Sequence, residues 1–396
     1  MKIKLMHDPI SADEIIAINK CLESGQYTQG TIVDEFEKEF AKWNGSRYAV
    51  MVNSGSSANL IMVSLLKDKF ELKETDEVLV PSVTWPTTVY PLIQNNLSPV
   101  FCDVDETFNI SFESIKKMYS PCTKAIFLVH LLGQPVNLKE IINFCEEKNI
   151  IVMEDCCEAL GANIEGKKVG RFGLMGSFSF YFGHHMATIE GGMVVTDDFE
   201  LYDLLKSIRS HGWVRNSIRS KEYEKDYASL DFVFDNLGYN LRSTNINATI
   251  GLEQLKKVDK SIEIRNRNHK LFDELISKNP FVRLQKVRYK EMSSFCLPLI
   301  LPSIKERDIL LKELPNAGIE CRTVIAGNLL SQPIFSKKLK GKYRADECVN
   351  SDIIHNCGFY LPNHQFIKEE NVVFMIDKIN EILKYEQRSK NFGNGS

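Results

Sequence analysis

The sequence predicts an α/β fold, with a mostly parallel central sheet followed by a smaller C-terminal α/β domain. Short apolar runs rich in β-branched residues recur between residues 48 and 196, and amphipathic helical windows such as 58–70 and 138–148 separate them. Strands that alternate with helices of this length are typical of βαβ units, whose sheet is buried on both faces. A chain of 396 residues, 43% of them hydrophobic, is long enough for two domains.

The individual segments support this fold class in chain order. Residues 10–43 have a helical pattern that is interrupted at "SGQYTQGT". The predicted strands then follow as "YAVMVN", "EVLVP", "SPVFCDV", "AIFLVHLLG", "NIIVMED", "GSFSFYF" and "GMVVT". Because only a short segment separates the last two, we expect an antiparallel pair there. A long helical window, 245–276, leads from the sheet to the smaller domain.

The domain boundaries follow from where these patterns change. We place a large domain at residues 1–260 and a small domain at 261–388, which contains "SSFCLPLILP", "GIECRTVI" and a helix near 372–383. The last residues, "SKNFGNGS", are small and polar, so 389–396 are predicted to form a disordered tail.

Charge and composition argue against several classes of protein. The net charge is −3, the isoelectric point is about 6.3 and basic residues are spread along the chain, so we expect no binding to nucleic acid or to membrane surfaces. No apolar run approaches the roughly 18 residues of a membrane span, and the N-terminus lacks an apolar targeting segment. The ten cysteines form no CxxC pair. These features predict a cytoplasmic protein with reduced thiols.

Two stretches place polar residues where ligands bind in such folds. "VNSGSSANLIMVSLL" puts Gly55, Ser56 and Ser57 between a strand and a helix, which suits either phosphate binding by free N–H groups or a simple serine cap. "IIVMEDCCEALGA" puts Asp155 and Glu158 at the carboxyl end of a strand, where a carboxylate either pairs with a ligand cation or caps the next helix.

A third stretch, "SFSFYFGHHMATIEGGMV", contains His184 and His185, and no lysine occurs between Lys168 and Lys206. Adjacent residues on a strand point to opposite faces and no nearby cluster completes four ligands, so we predict no metal site. Packing in the core remains one alternative. The other is that one imidazole moves protons at the sheet edge.

Together these stretches resemble the DegT-type sugar aminotransferases, a family of pyridoxal-phosphate (PLP) enzymes with the type I, aspartate-aminotransferase-like fold. The resemblance covers essentially the whole chain and follows matching segments in order: "NSGSSAN", "WPTT", "EDCCEALGA", "GSFSFYFGHHMATIEGGMVVTDD" and "LGYNLRSTNINATIGLEQL".

The resemblance implies a role for each matching residue. Gly55, Ser56, Ser57 and Ser179 would surround the cofactor phosphate, and Trp85 would stack on the pyridine ring. Asp155 would pair with the ring nitrogen, which keeps the ring an electron sink. Glu158 would contact the cofactor where many aminotransferases carry glutamine. Asn240 would reach the phosphate from a neighbouring subunit, which implies a homodimer with shared sites.

One departure from the family pattern changes the expected reaction. The lysine that bonds covalently to PLP in the aminotransferases is replaced here by His184, as in the 3-dehydratases of the family. The resemblance implies that L-glutamate converts PLP to pyridoxamine phosphate (PMP). The C3 hydroxyl of a nucleotide-linked 4-keto-6-deoxy sugar, with GDP as the nucleotide, is then removed for surface-polysaccharide synthesis. His184 would transfer the protons, and His185 would be structural.

Several alternatives remain open from the sequence. A dehydratase with an iron–sulfur cluster would need cysteines flanking this segment, and none occurs from Glu158 to Phe295, so we expect no cluster. The same reaction on a 6-deoxy-4-keto-heptose, a nucleotide-sugar 4-aminotransferase and a non-catalytic nucleotide-sugar-binding protein are the others. His211, Arg215 and Arg219 are candidates for binding the substrate, or else form a solvated basic face.

Overall fold

The computed structural model describes residues 2–215 and 217–393, with side chains as far as residue 384. Its helices are α1 (Ala12–Glu23), α2 (Thr31–Asn44), α3 (Gly55–Lys69), α4 (Pro86–Gln94), α5 (Phe112–Met118), α6 (Leu138–Lys148), α7 (Phe199–Arg209), α8 (Ser220–Tyr223), α9 (Asn245–Leu255), α10 (Val258–Ile276), α11 (Ile304–Asn316), α12 (Val349–Cys357) and α13 (Glu369–Gly393). Its strands are β1 (Tyr48–Val52), β2 (Glu77–Pro81), β3 (Ser98–Cys102), β4 (Thr123–Val129), β5 (Ile151–Asp155), β6 (Asn163–Ile164), β7 (Lys167–Lys168), β8 (Met175–Ser179), β9 (Gly192–Thr196), β10 (Arg283–Leu284), β11 (Leu297–Ile300), β12 (Arg322–Thr323) and β13 (Gly358–Leu361).

The large sheet has seven strands in the order β1-β9-β8-β5-β4-β2-β3. The five strands from β8 to β3 are parallel, whereas β9 is antiparallel to both of its neighbours. This arrangement confirms the mostly parallel sheet and the antiparallel pair expected from the sequence. The carboxyl ends of the parallel strands therefore share one edge, where ligands bind in sheets of this kind.

Both faces of the large sheet are covered by helices, which explains why its strands are almost uniformly apolar. Along β2, Val78 and Val80 pack with residues of α3 and α7 on one face. Between them, Leu79 points to the other face, where it packs with α5 and α6. The alternation of side chains along a strand thus divides the core into two layers.

The smaller sheet has four antiparallel strands in the order β10-β11-β13-β12, and it packs against α11, α13 and the end of α10. The chain's first residues join this unit. The Ile3 N–H donates to the Gly318 carbonyl at 2.8 Å, and the Ile3 carbonyl accepts from the Glu320 N–H at 2.9 Å. The first described residues and the last helix, α13, therefore both lie in the smaller unit.

The predicted boundary between residues 260 and 261 falls inside α10, so one continuous helix links the two units. The division at residue 260 remains a prediction. The last helix continues to Gly393, past the predicted start of the tail at residue 389, and residues 394–396 lie outside the described part of the chain. Among the described residues, no helix has the length and apolar character needed to cross a lipid bilayer.

Candidate active site

A cavity of about 690 Å³ opens between the carboxyl edge of the large sheet and the smaller sheet. Seven of the residues predicted from the sequence line it: Gly55, Ser56, Trp85, Asp155, Glu158, Ser179 and His184. These residues come from four separate segments of the chain, and the strand order brings them together.

One end of the cavity is formed by the start of α3. Ser54 caps this helix, because its Oγ accepts the Ser57 N–H at 3.1 Å, and the N–H groups of the first turn have no partner within the helix. A Cβ at Gly55 would come within 2.6 Å of the Ser179 Cβ, so only glycine allows α3 to begin this close to β8. The result is a narrow cradle of N–H and hydroxyl groups that suits a phosphate.

Ser57 and Ser179 differ in whether their side chains face this group of phosphate-binding donors. The Ser57 hydroxyl donates to Asn53 Oδ1 at 2.6 Å, and Ser57 does not line the cavity. The Ser179 side chain lies at the end of β8 facing the cavity, where its Oγ accepts the Tyr181 N–H at 3.3 Å. Its own hydroxyl hydrogen is free to turn toward a ligand.

Asp155 ends β5 and is held by neutral partners. Its Oδ2 accepts hydrogen bonds from Asn59 Nδ2 at 2.8 Å and Thr88 Oγ1 at 2.9 Å, and its Oδ1 accepts the Cys157 N–H at 3.1 Å. The side chain is buried. A buried carboxylate whose bonds come from neutral donors keeps its charge available for a ligand cation, such as a protonated pyridine nitrogen.

His184 lies in the turn after β8 and faces the cavity. Its Nδ1 is 2.7 Å from the Cys157 carbonyl, and because a carbonyl can only accept, Nδ1 carries the hydrogen. Burial, together with the nearby Arg265 guanidinium, lowers the pKa of His184 to about 4. The imidazole is therefore neutral at pH 7, and Nε2 keeps a free lone pair that can accept a proton.

His185 points away from the cavity into the protein. It is buried, and its Nε2 is 3.0 Å from the Ser293 carbonyl. The prediction that the two histidines face opposite ways rested on their lying along a strand, whereas β8 ends at Ser179 and both lie in the turn that follows. The turn separates the two rings just as a strand would.

Glu158 reaches the cavity from the turn after β5. Its Oε2 accepts the Leu132 N–H at 2.9 Å. Burial, together with the Asp155 charge, raises the pKa of Glu158 to about 8, so its carboxyl group is largely protonated at pH 7. Leu132 has a φ of +56°, a left-handed conformation that is strained for leucine. This strained conformation directs the Leu132 N–H toward Glu158.

Trp85 lies just before α4 and shows 56% of its surface to the cavity and solvent. A large exposed indole on a cavity wall is available to stack on an aromatic ligand. Together with the cradle at α3 and the carboxylate of Asp155, it matches a planar, phosphorylated, cationic ring. No lysine lines the cavity among the described residues, so these groups suit PLP or PMP bound without a covalent bond to the protein.

The other four predicted residues lie outside this cavity in the single chain. Asn240 is exposed and pairs by its backbone with Ser210. The Arg215 guanidinium lies 5.9 Å from the centre of the Trp213 ring, and His211 contacts the same ring. Arg219 forms ion pairs with Asp203 and Asp235. Arg219 is therefore already neutralised within its own chain. The Asn240 side chain makes no ion pair, and its Oδ1 accepts a hydrogen bond from Arg242 Nε at 3.1 Å.

The sequence did not point to several groups that line the opposite wall. They are Arg322 and Thr323 on β12, Tyr360 on β13, Phe295 before β11, and Leu5 and Met6 near the N-terminus. Arg322 and Thr323 belong to the run "GIECRTVI", which the sequence pattern assigned only to the smaller domain. Nothing in the local pattern says that this strand faces the large sheet.

A buried group of possible metal ligands lies behind the cavity, formed by His130, Glu154 and Cys156. His130 Nε2 is 3.0 Å from Glu154 Oε2, and His130 Nδ1 accepts the Val136 N–H at 3.1 Å. The remaining Glu154 positions accept backbone N–H groups of the segment 170–173. His130 and Glu154 are thus satisfied by each other and by backbone N–H groups, and Glu154 fastens that segment to β5.

Known proteins resemble this chain over most of its length. The model of the DegT/DnrJ/EryC1/StrS aminotransferase family matches residues 8–380. GDP-4-keto-6-deoxy-D-mannose 3-dehydratase of Yersinia pseudotuberculosis is 41% identical over 91% of this chain and 93% of its own length. The enzyme of the same name from Escherichia coli O55:H7 is 40% identical over 94% and 96%. GDP-perosamine synthase of Escherichia coli O157:H7 is 32% identical over 92% and 94%.

Two solved structures extend the comparison to three dimensions. A mutant of GDP-4-keto-6-deoxymannose-3-dehydratase with bound GDP-perosamine matches with a TM-score of 0.90 and 37% identity, over 95% of this chain and all of the other. The same enzyme with a trapped PLP–glutamate geminal diamine matches with a TM-score of 0.88 and 37% identity, over 95% and 99%. Because the family model, the sequence identity and the fold agree, this chain belongs to the DegT/DnrJ/EryC1/StrS aminotransferase family.

Proposed function

We propose that this protein is a PLP- and L-glutamate-dependent 3-dehydratase that removes the C3 hydroxyl of a GDP-linked 4-keto-6-deoxy sugar. The observation that carries the proposal is His184, a neutral imidazole with a free Nε2 at the position where the family's aminotransferases carry lysine. Relatives at about 40% identity are named as such dehydratases. An imidazole transfers protons but forms no stable covalent bond to an aldehyde.

The residues that would hold the cofactor are those of the cradle and the ring pocket. Gly55, Ser56 and Ser179 would bind its phosphate, Trp85 would cover one face of its ring, and Asp155 would keep the ring nitrogen protonated. When bound, the cofactor supplies an electron sink and carries an amino group from glutamate to the sugar ketone.

His184 would perform the proton transfers of the dehydration. Nε2 accepts a proton while the Nδ1–H bond to the Cys157 carbonyl holds the ring in place. The charged ring, in a site that lowers its pKa to about 4, is a stronger acid than an ordinary imidazolium and would readily return the proton to the departing hydroxyl group. The same low pKa makes Nε2 a weaker base, so burial favours the return of the proton over its removal.

Glu158 would assist as a neutral hydrogen-bond donor. Because its pKa is raised to about 8, it is largely protonated at pH 7 and presents an O–H group while its other oxygen stays on the Leu132 N–H. A second negative charge beside Asp155 is thereby avoided. Asp155 then remains the cavity carboxylate that faces the ring nitrogen.

The proposal extends to a homodimer with shared active sites. Asn240 is exposed and lies off the cavity, as expected of a residue that serves a neighbouring subunit. The same segment exposes apolar side chains that a partner would cover, including Phe232 at 79% and Leu237 at 88%. We also propose a cytoplasmic location, because all ten cysteines are free thiols.

Mixing two inactive variants tests the shared site. Asn240→Ala removes a side chain that one subunit contributes to its partner's active site. His184→Asn removes a side chain that belongs to the subunit's own active site. Co-refolded or co-expressed variants should regain part of the wild-type activity, because some heterodimers contain one intact site. A mixture that stays as inactive as its components would contradict the shared site.

The reaction itself is tested by mass spectrometry of nucleotide-sugar products. The protein is incubated with PLP, L-glutamate and GDP-4-keto-6-deoxymannose, and we expect the sugar to lose one oxygen while ammonia and 2-oxoglutarate form. An amino-sugar product would instead show an aminotransferase and overturn the role of His184. If glutamate is consumed but the hexose is unchanged, the GDP-linked 6-deoxy-4-keto-heptose is the next substrate to test.

A further inference from the structure

The cavity contains one cationic side chain to which the proposed function gives no role. Among the described residues that line it, Arg322 is the only lysine or arginine, and it faces Asp155, Glu158 and Glu190 on the other walls. Arg322 lies on β12, the edge strand of the smaller sheet. A single guanidinium on an otherwise acidic cavity is a specific site for an anion.

The backbone and one neighbour hold Arg322 in place. It pairs in register with Tyr360 across β12 and β13, so the two side chains lie on the same face of the sheet. The buried Tyr360 hydroxyl lies within hydrogen-bonding reach of the guanidinium, and this partner is neutral. Arg322 is exposed to the cavity, so its charge and most of its donors are available to a ligand.

The two substrates of the proposed reaction offer different anions. The nucleotide sugar has a diphosphate, and a separate pocket of about 240 Å³, lined by Lys206, Arg215 and Arg242 together with Asp203, offers it several cations. L-glutamate has two carboxylates, and a guanidinium binds a planar carboxylate through two parallel hydrogen bonds. The nearby Glu158 carboxyl is largely neutral at pH 7, because its pKa is about 8, so it does not strongly repel such a ligand.

We propose that Arg322 binds a carboxylate of L-glutamate, which makes β12 the amino-donor site of this enzyme. The inference rests on the proposed function, because it assumes that glutamate enters this cavity. It assigns Arg322 to substrate binding and gives it no part in proton transfer.

Binding of glutarate, a dicarboxylate without an amino group, tests the inference without any turnover. Titration of the PLP-loaded protein by calorimetry should show that Arg322→Gln weakens glutarate binding by roughly 10- to 100-fold. Arg322→Lys keeps the charge but loses the planar guanidinium, so its affinity for glutarate should lie between those of the wild type and Arg322→Gln. Arg283→Gln is the matched control, because Arg283 is an exposed arginine on the opposite edge strand of the same sheet, and it should bind glutarate as the wild type does.

Kinetic measurements distinguish a role of Arg322 in binding glutamate from a role in binding the nucleotide sugar. For Arg322→Gln, the KM for glutamate in the conversion of PLP to PMP should rise by a similar factor. A single turnover of sugar by protein loaded directly with PMP, which needs no glutamate, should keep its wild-type rate. If the single turnover slows and glutarate binding is unchanged, Arg322 serves the nucleotide sugar and the inference is wrong. If Arg322 governs glutarate binding but the wild-type protein makes no 3-deoxy sugar, the inference stands and the proposed function fails.

Discussion

The two walls of the cavity hold their polar groups in different ways. On the large-domain wall, Asp155, Glu158 and His184 each bond to a backbone group, and burial shifts the pKa of the last two. On the small-domain wall, Arg322 is exposed on an edge strand and has a tyrosine hydroxyl as its partner. The groups assigned to proton transfer are thus fixed by hydrogen bonds to the backbone, whereas the group assigned to recognition is exposed and has a side-chain partner.

The largest expected effect comes from removing the proton-transfer group of the large-domain wall. His184→Asn keeps a similar volume and polar atoms but cannot carry a proton, so we expect dehydration to slow by about 10²- to 10⁴-fold. The rate of 3-deoxy product formation by mass spectrometry measures this. The absorbance spectrum of bound PLP should be retained, which shows that the cofactor site has survived. Near wild-type dehydration in this variant would remove His184 from the mechanism.

A smaller effect is expected where the two walls meet. Arg265 on α10 is buried and donates to the carbonyls of Phe295 and Asn363, and its Nη2 lies 3.4 Å from the His184 carbonyl. A lysine cannot reach all three acceptors, so Arg265→Lys should lower the free energy of unfolding by about 1–3 kcal/mol.

Denaturant unfolding of Arg265→Lys measures this loss. Arg267→Lys on the same helix is the control, because Arg267 is 56% exposed in its side chain and forms a long 3.6 Å ion pair with Glu369. That control should stay within about 0.5 kcal/mol of the wild type. Equal stability of the two variants would mean that Arg265 does not join the walls.

The smallest expected effect concerns the pH range of the reaction, which the buried groups of the large-domain wall should set. His184 must be neutral to accept a proton, so the rate should fall as the pH drops through about 4. Glu158 must be protonated to donate, so the rate should also fall as the pH rises through about 8.

Glu158→Gln keeps a donor and an acceptor but cannot ionise. We expect its dehydration rate at pH 7 to fall by no more than about tenfold, and its decline above pH 8 to disappear. The pH profile of single-turnover dehydration by PMP-loaded protein measures both. A variant profile that still declines above pH 8 would assign that ionisation to another group.

The fold was predictable wherever a segment's own pattern determines its structure. The apolar runs that became β1 to β5, β8 and β9 are buried on both faces, and their composition shows it. The helix α4 was not predicted, because "PTTVYPLIQ" combines two prolines with β-branched residues, which disfavour helix. It forms because Val89 and Leu92 are completely buried against the large sheet, and such tertiary packing is not visible in a local window.

The site residues differ in the same way: some were predictable from local patterns and others were not. His184, Asp155 and Ser56 follow strands of the large sheet, and the rule that carboxyl ends of parallel strands share an edge brings them together from sequence alone. Arg322, Tyr360 and Met6 line the cavity only because the smaller sheet packs against that edge. The direction in which one unit faces another is set by contacts between distant segments, so no local pattern contains it.

The pairing of Ile3 with residues 318–320 has a consequence for how the protein is made. During synthesis Leu5 leaves the ribosome 315 residues before Glu320, to which its N–H donates, and the partners of Ile3 emerge at the same late stage. Residues 2–6 must therefore wait without a partner while the large sheet assembles. Because Leu5 and Met6 also line the cavity, this segment completes one of the cavity walls only late in folding.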